Sequence, residues 1–269
     1  MASGVFGLRK VYKKQVENVD NNNFVSWPEG ATYGYFGGGG TPTFVSTIER
    51  IDFFNETIST PGNNFPAARS RLAAVSSSFY GYFGAGQNPP SSTIATIDRI
   101  DFSNETTSAP GNNLPQARYN LAATSSDSYG YFGAGNSPPY RATIDRIDFS
   151  NETTSAPGNN LSVSRERPGA LSSSDYGYFA GGFEGSSRDF IERIDFINET
   201  ISNANTDLSQ EKFGLAGVAN SVYGYFGGGR SPAFFHSRID RIEFSTETTL
   251  VPGNNLPQAR YAFDAVSSN

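Results

Sequence analysis

The chain has 269 residues, with no Cys, one His, one Trp and a formal net charge of −6. That length can bury a sizeable core, while the lack of Cys excludes disulfides and thiolate metal sites and the acidic balance argues against a nucleic-acid partner for the body. The 22 Phe and 14 Tyr are too many for a disordered chain, and 29 Gly with abundant Ser, Thr and Asn suit short strands joined by many turns.

Residues 1–23 form an arm with net charge +2, against −8 for the remainder. Its cations Arg9, Lys10, Lys13 and Lys14, with the aromatic residues Phe6 and Tyr12, are expected to order against a partner surface. The competing expectation is a solvated tail. Asn21-Asn22-Asn23 reads as the hinge between this arm and a body spanning 24–269. No apolar run has the length of a signal peptide or membrane span, so the expectation is synthesis in a cytoplasm without membrane insertion.

The body is one unit written five times. Tyr-Gly-Tyr-Phe begins at Tyr33, Tyr80, Tyr129, Tyr176 and Tyr223, a period of 47 to 49 residues. Arg-Ile-Asp-Phe follows at Arg50, Arg99, Arg146 and Arg193, and Arg-Ile-Glu-Phe at Arg241. In the third copy, Leu121–Thr124 predicts a buried inner strand and Tyr129–Phe132 a second strand ended by Gly133-Ala134-Gly135. Asn136-Ser137-Pro138-Pro139 predicts a loop, Thr143–Phe149 a third strand and Thr154-Ser155-Ala156 a short outer one. Alternation puts Tyr129 and Tyr131 on one face and Gly130 and Phe132 on the other, which would let neighbouring sheets approach closely. The closing glycines are expected where φ is positive. Four short strands cannot shield both faces, so the units must pack on one another, and a ring of them is a β-propeller.

The ring closure is also written in the spacing. Arg69, Arg118, Arg165 and Lys212 each stand 11 residues before the next Tyr-Gly-Tyr-Phe, whereas Arg260 has no copy downstream. Placing the C-terminus before Thr32 restores the spacing. Residues 260–268, with Arg260, Tyr261 and Phe263, are thus expected to supply the inner strand that the first copy lacks. Two rivals stay open: Phe24–Trp27 as a first inner strand with an incomplete sixth blade, and exchange of the C-terminal strand between molecules.

The unit resembles a kelch repeat. Gly37-Gly38, Gly181-Gly182 and Gly227-Gly228 match the kelch Gly pair, Ile51-Asp52 and its counterparts stand where Tyr-Asp would be, and the outer-strand Trp is missing. With the five copies, the 11-residue offset and the basic arm, the resemblance leads to the expectation of an all-β, five-bladed kelch-like β-propeller closed by the C-terminal strand, with an N-terminal arm. The paired strings, with the leader Gly7-Leu8-Arg9-Lys10-Val11-Tyr12, are also similar to repeats in structural proteins of marine cyanobacterial phages. That similarity implies a virion component in a fibre, tail or head decoration, held to other virion proteins by its arm.

The Arg and Asp of each Arg-Ile-Asp-Phe share a strand face, and their presence in every copy points to structure rather than to a cation-binding ring. The four Asn-Glu-Thr sequons read as turns in which Asn caps its own backbone. His236 stands alone, so no triad or metal set is expected, nor any enzyme activity or cofactor. The copies differ most between the second and third strands. Phe44, Tyr140, Arg141, Phe183, Phe190, Arg230, Phe234, Phe235 and His236 in those loops are the candidate binding residues, and the fourth unit is the least regular. Expected is a non-enzymatic structural part of a phage particle. The alternative is a lectin-like or host-receptor-binding propeller that holds a glycan in these loops.

Overall fold

The computed structural model describes residues 33–41, 43–263 and 265. The arm residues Phe6, Arg9, Lys10, Tyr12, Lys13 and Lys14, and the segment Phe24–Trp27, lie outside them. The described chain is all-β, with five antiparallel sheets arranged as the blades of a five-bladed β-propeller. Blade 1 holds Tyr33–Gly37, Ile48–Asp52 and Ile58–Ser59. Blades 2 to 5 each run inner, second, third, outer: blade 2 from Ala73–Ser76 to Thr107–Ser108, blade 3 from Ala122–Ser125 to Thr154–Ser155, blade 4 from Gly169–Ser172 to Ile201–Asp207, and blade 5 from Phe213–Ala219 to Thr248–Leu250.

Every Tyr-Gly-Tyr-Phe is a second strand paired in the same register with the third: Phe36 faces Glu49, Phe83 faces Asp98, Phe132 faces Asp145, Phe179 faces Glu192 and Phe226 faces Asp240. The glycines of this string have two separate causes. A Cβ on Gly133 would stand 2.6 Å from the Phe179 ring of the next blade, so close approach excludes a side chain there. Positive φ falls on the two following positions, Ala134 at 62° and Gly135 at 107°.

The core is divided among the junctions. One apolar cluster lies between blades 1 and 2 (Ile48, Phe65, Phe83, Ile100), and similar clusters fill the next three junctions. Around each cluster runs a polar frame. Tyr35 donates to Glu105 at 3.0 Å, Tyr82 to Glu152 at 3.0 Å, Tyr131 to Glu199 at 3.0 Å and Tyr178 to Glu247 at 3.2 Å. The same glutamates pair with Arg50, Arg99, Arg146 and Arg193. Each Arg also lies over the first Tyr of its own blade, 4.1 to 4.5 Å from the ring centre. Glu56, Glu105, Glu152, Glu199 and Glu247 all have φ of 50° to 59°. The first four sit in the Asn-Glu-Thr turns, where the Asn carboxamide accepts from the Thr amide, as the sequence predicts, while Glu247 sits between Thr246 and Thr248, whose hydroxyls are 2.8 Å apart. The turn thus presents its glutamate to the preceding blade.

A second frame lies deeper. Arg118 is fully buried, its carbonyl accepts from Gly86 of blade 2 at 2.8 Å, and its guanidinium is 3.0 Å from Asp145 of blade 3. One residue therefore ties two blades. Arg69 with Asp98, Arg165 with Glu192, and Lys212 with Asp240 at 2.7 Å repeat it. Desolvation lowers the Arg118 pKa and raises that of Asp145, and the attraction between them opposes both shifts. Nearest the axis, the amides of Asn120, Arg167, Gly214 and Ala262 donate to the carbonyls of Arg71, Asn120, Arg167 and Gly214, at 2.7 to 3.0 Å. All five residues have positive φ. The predicted closing residues Arg260, Tyr261 and Phe263 lie against blade 5, where Gly229 donates to the Arg260 carbonyl at 2.8 Å and Phe263 covers Gly228. Asp264 and residues 266–268 of that predicted strand lie outside the described residues.

Blade 4 departs from the expected loop. Tyr176–Phe183 and Ser187–Asp195 are strands of 8 and 9 residues, so Phe183 and Phe190 are strand residues and the connection shrinks to Glu184-Gly185-Ser186. A register shift between Ala180 and Gly182 lets the pairing run on past the point where the other blades part.

Replacing Arg118 by Met should cost about 3–5 kcal/mol in urea unfolding, because Asp145 is left buried without its cation. Adding Asp145→Leu should recover most of that loss. The tyrosine frame sets an alkaline limit. Burial, reinforced by the neighbouring glutamate, raises the pKa of Tyr35, Tyr82, Tyr131 and Tyr178 above the usual 10. Above pH 10 the unfolded chain therefore holds fewer protons than the native one, and stability falls as pH rises. Melting curves should show that fall, and it should be shallower with Tyr82 and Tyr131 both changed to Phe.

Candidate functional site

Inner–second hairpins and third–outer turns lie on one face of the disc. The second–third connections and the crossings to the next inner strand share the other. On this second face the irregular residues of blades 3 to 5 meet. Tyr140 stands edge-on to Phe183 at 6.2 Å between ring centres, and Phe183 packs on Phe213 at 5.0 Å. Arg230 lies 5.5 Å from the Phe213 centre, 5.5 Å from Phe235 and 5.2 Å from Tyr261. Phe235 and Tyr261 are themselves 5.3 Å apart. The result is a continuous aromatic track with an arginine in its middle. Phe234 is 72% exposed and Phe235 56%, so the end over blade 5 faces solvent.

Four of the predicted binding residues, Tyr140, Phe183, Arg230 and Phe235, come together here, and Phe234 borders them. The others do not. Phe44 pairs with Gly40 in a two-residue hairpin on blade 1. Phe190 lies under Arg165, 4.6 Å from its guanidinium, and so belongs to the deep frame. Arg141 is tied by its backbone to Gly135 and Arg165. His236 is half-buried, donates its amide to Gly229 and accepts from Arg260 through its carbonyl. Burial pushes its pKa below the usual 6.5, with Lys212 and Arg238 adding to the effect.

Sequence reading missed Phe213 and Tyr261 as members of the track. Each follows the deep cation of its crossing, in the place that Ser70, Tyr119 and Glu166 take in the other copies. Aligning that one position across the copies would have exposed the change to apolar rings. Beside blades 2 and 3 this face is mainly polar, with one ring, Tyr119, 5.6 Å from the Arg71 guanidinium. Arg71 donates to Gln87 at 2.8 Å, and Asn120 and Asn136 both donate to Glu166, at 2.9 and 3.1 Å.

On the opposite face a depression of about 310 Å³ is lined by Phe79, Ser128, Tyr129, Asp148 and Ser150. Asp148 there accepts from the Ser150 amide and hydroxyl, at 2.8 and 2.6 Å. Asp52, Asp101 and Asp195 accept turn amides in the same way, in line with the structural reading of Arg-Ile-Asp-Phe. Among the described residues, no group of three or more His, Cys, Asp or Glu is placed to hold a metal, and no helix is long and apolar enough to cross a membrane. No protein-family model matches the chain, and no curated protein matches it.

His236 is the single histidine of the chain, so its titration can be followed without overlap. Its imidazole signal should titrate below pH 6.5 by NMR. A depressed histidine pKa means the unfolded chain binds the extra proton first, so this residue lowers stability as pH falls below 6.5. A midpoint above 6.5 would contradict the buried placement of the ring.

Proposed function

We propose that this chain is a non-enzymatic structural propeller that seats a protein surface on the aromatic face of blades 3 to 5. The observation that carries this reading is the track Tyr140–Phe183–Phe213–Arg230–Phe235–Tyr261. Aromatic rings around an arginine are the side chains that dominate protein–protein contacts, and here Phe235 and Tyr261, with neighbouring Phe234, are exposed over a half-buried and buried aromatic base. The track runs along a broad surface built on the longest strands of the molecule, and a broad surface suits a protein partner better than a single sugar. Repeated polar groups are spent on the junctions, where buried carboxylates face cations, which leaves the unrepeated face for recognition. Similarity of the repeats to structural proteins of cyanobacterial phages supports a place in a virion, with the basic arm 1–23 holding the acidic disc to a larger assembly.

The test is a photo-crosslinking residue at Phe234 in assembled particles, with a second at Phe54 on the opposite face as control. Capture of a particle protein from position 234 and not from 54 is expected. Arg230→Ala with Phe235→Ala should weaken that docking about tenfold or more, each truncation costing on the order of 1–2 kcal/mol. Capture from 54 alone would refute the seat. Glycan-array binding lost in the same double variant would establish the receptor-binding alternative instead.

A further inference from the structure

Four junctions of the propeller share the tyrosine–glutamate–arginine frame and the deep cation–acid pair, and the members of both occur a fifth time, split between blade 5 and blade 1. In the outer frame, Arg241 lies 4.3 Å from the Tyr223 ring centre, posed like its four counterparts. Among the described residues it has no carboxylate partner, and Tyr225 beside it has no acceptor for its hydroxyl. The one glutamate of the turn series left over is Glu56 on blade 1, which is exposed. In the deep frame, Arg260 has made its backbone half, accepting from Gly229, while its guanidinium has no acidic partner and the residue is exposed. The one acid of that series left over is Glu49, also exposed, opposite Phe36 in the shared register.

The packing leaves the same remainders. Phe83, Phe132 and Phe179 cover Gly37, Gly84 and Gly133 of the preceding blade. Phe36 is 43% exposed, and around Gly227 only Ile239 and Leu256 come within 4 Å of a Cβ, both at 3.8 Å. Val75, Thr124 and Leu171 press on Gly130, Gly177 and Gly224; Gly81 meets only Ile100 and Phe102, since blade 1 has no inner strand among the described residues, and Gly34 meets only Ile51 and Phe53 although blade 5 has the inner strand whose counterpart residue is Val218. In the axial belt, the Arg71 amide and the Ala262 carbonyl are the two ends without a partner in the series.

We infer that blade 1 and blade 5 of the same chain form a fifth junction, with Arg260 paired to Glu49 and Glu56 seated between Tyr225 and Arg241. The two surfaces match in charge and shape at each point named. Joining them within one chain needs no second molecule, and tethering gives the intramolecular contact an effective concentration in the millimolar range. A second copy could offer the same residues in trans, which would build a head-to-tail array instead.

The chain lacks cysteine, so a disulfide can report the junction directly. At an engaged junction the Val75 γ-methyl lies 2.5 Å from where a Cβ on Gly130 would stand, close enough for a bridge. Gly34→Cys with Val218→Cys should therefore oxidise to a monomer with both thiols consumed, as should the control pair Val75→Cys with Gly130→Cys. Disulfide-linked multimers from the 34/218 pair, or free thiols while the control oxidises, would overturn the inference. Independently, Arg241→Glu and Glu56→Arg should each lower the melting midpoint by about 2–4 °C, and the double variant should regain most of the loss. Additive losses would also overturn it.

Discussion

A glutamate held between a tyrosine and an arginine of the preceding blade is the contact on which the molecule depends. In blades 2 to 5 the backbone ladder runs across all four strands, but no sheet covers its own faces. The junction does that work, and it does so with a partly buried charge whose two partners come from one pair of adjacent strands. Tyr131 and Arg146 stand on the same strand pair, and Glu199 reaches them from a turn in the next blade. That turn can present Glu199 only because its backbone adopts a left-handed φ, held there by Asn198 and Thr200. Local turn chemistry, blade spacing and core burial are therefore one constraint.

Much of this was legible in the chain. Period and alternation predict five sheets, and the alternation of Tyr with Gly and Phe predicts close approach between them. The 11-residue offset marks Arg69, Arg118, Arg165 and Lys212 as special without saying why. Their partners were not legible, because Asp98, Asp145, Glu192 and Asp240 lie 27 to 29 residues away, beyond any local pattern. The glutamates of the Asn-Glu-Thr turns were hidden differently: they look like ordinary solvated turn residues until the next blade is in place. Blade 4 misled for a local reason. Gly181-Gly182 and Gly185 signal a break, yet the bulge absorbs it and the strands continue to Phe183 and from Ser187.

The aromatic track was half legible. Its outer members belong to connections that visibly differ among copies, whereas Phe213 and Tyr261 come from the crossings that lead out of the preceding blade, of which only the one before Phe213 departs from the repeat. Only the fold brings these segments to one face. Blade 4 supplies the firmest platform there, since its outer strand runs Ile201–Asp207 where those of blades 1 to 3 have two residues. The departure from the repeat in blade 4 and the departure in surface chemistry thus coincide in space.

The belt of amides from Arg71 to Ala262 bears on how such a molecule can change size. Each link joins a main-chain donor to a main-chain acceptor and asks only that one residue tolerate a left-handed turn. Arg, Asn, Gly and Ala all fill the place. Nothing in a link counts its neighbours. Copying or deleting one 47- to 49-residue segment of the gene would leave every remaining link chemically intact and alter only the angle at which the two ends arrive. The number of blades is accordingly a global property, set by the rotation at each step and enforced at the single place where the circle must meet itself.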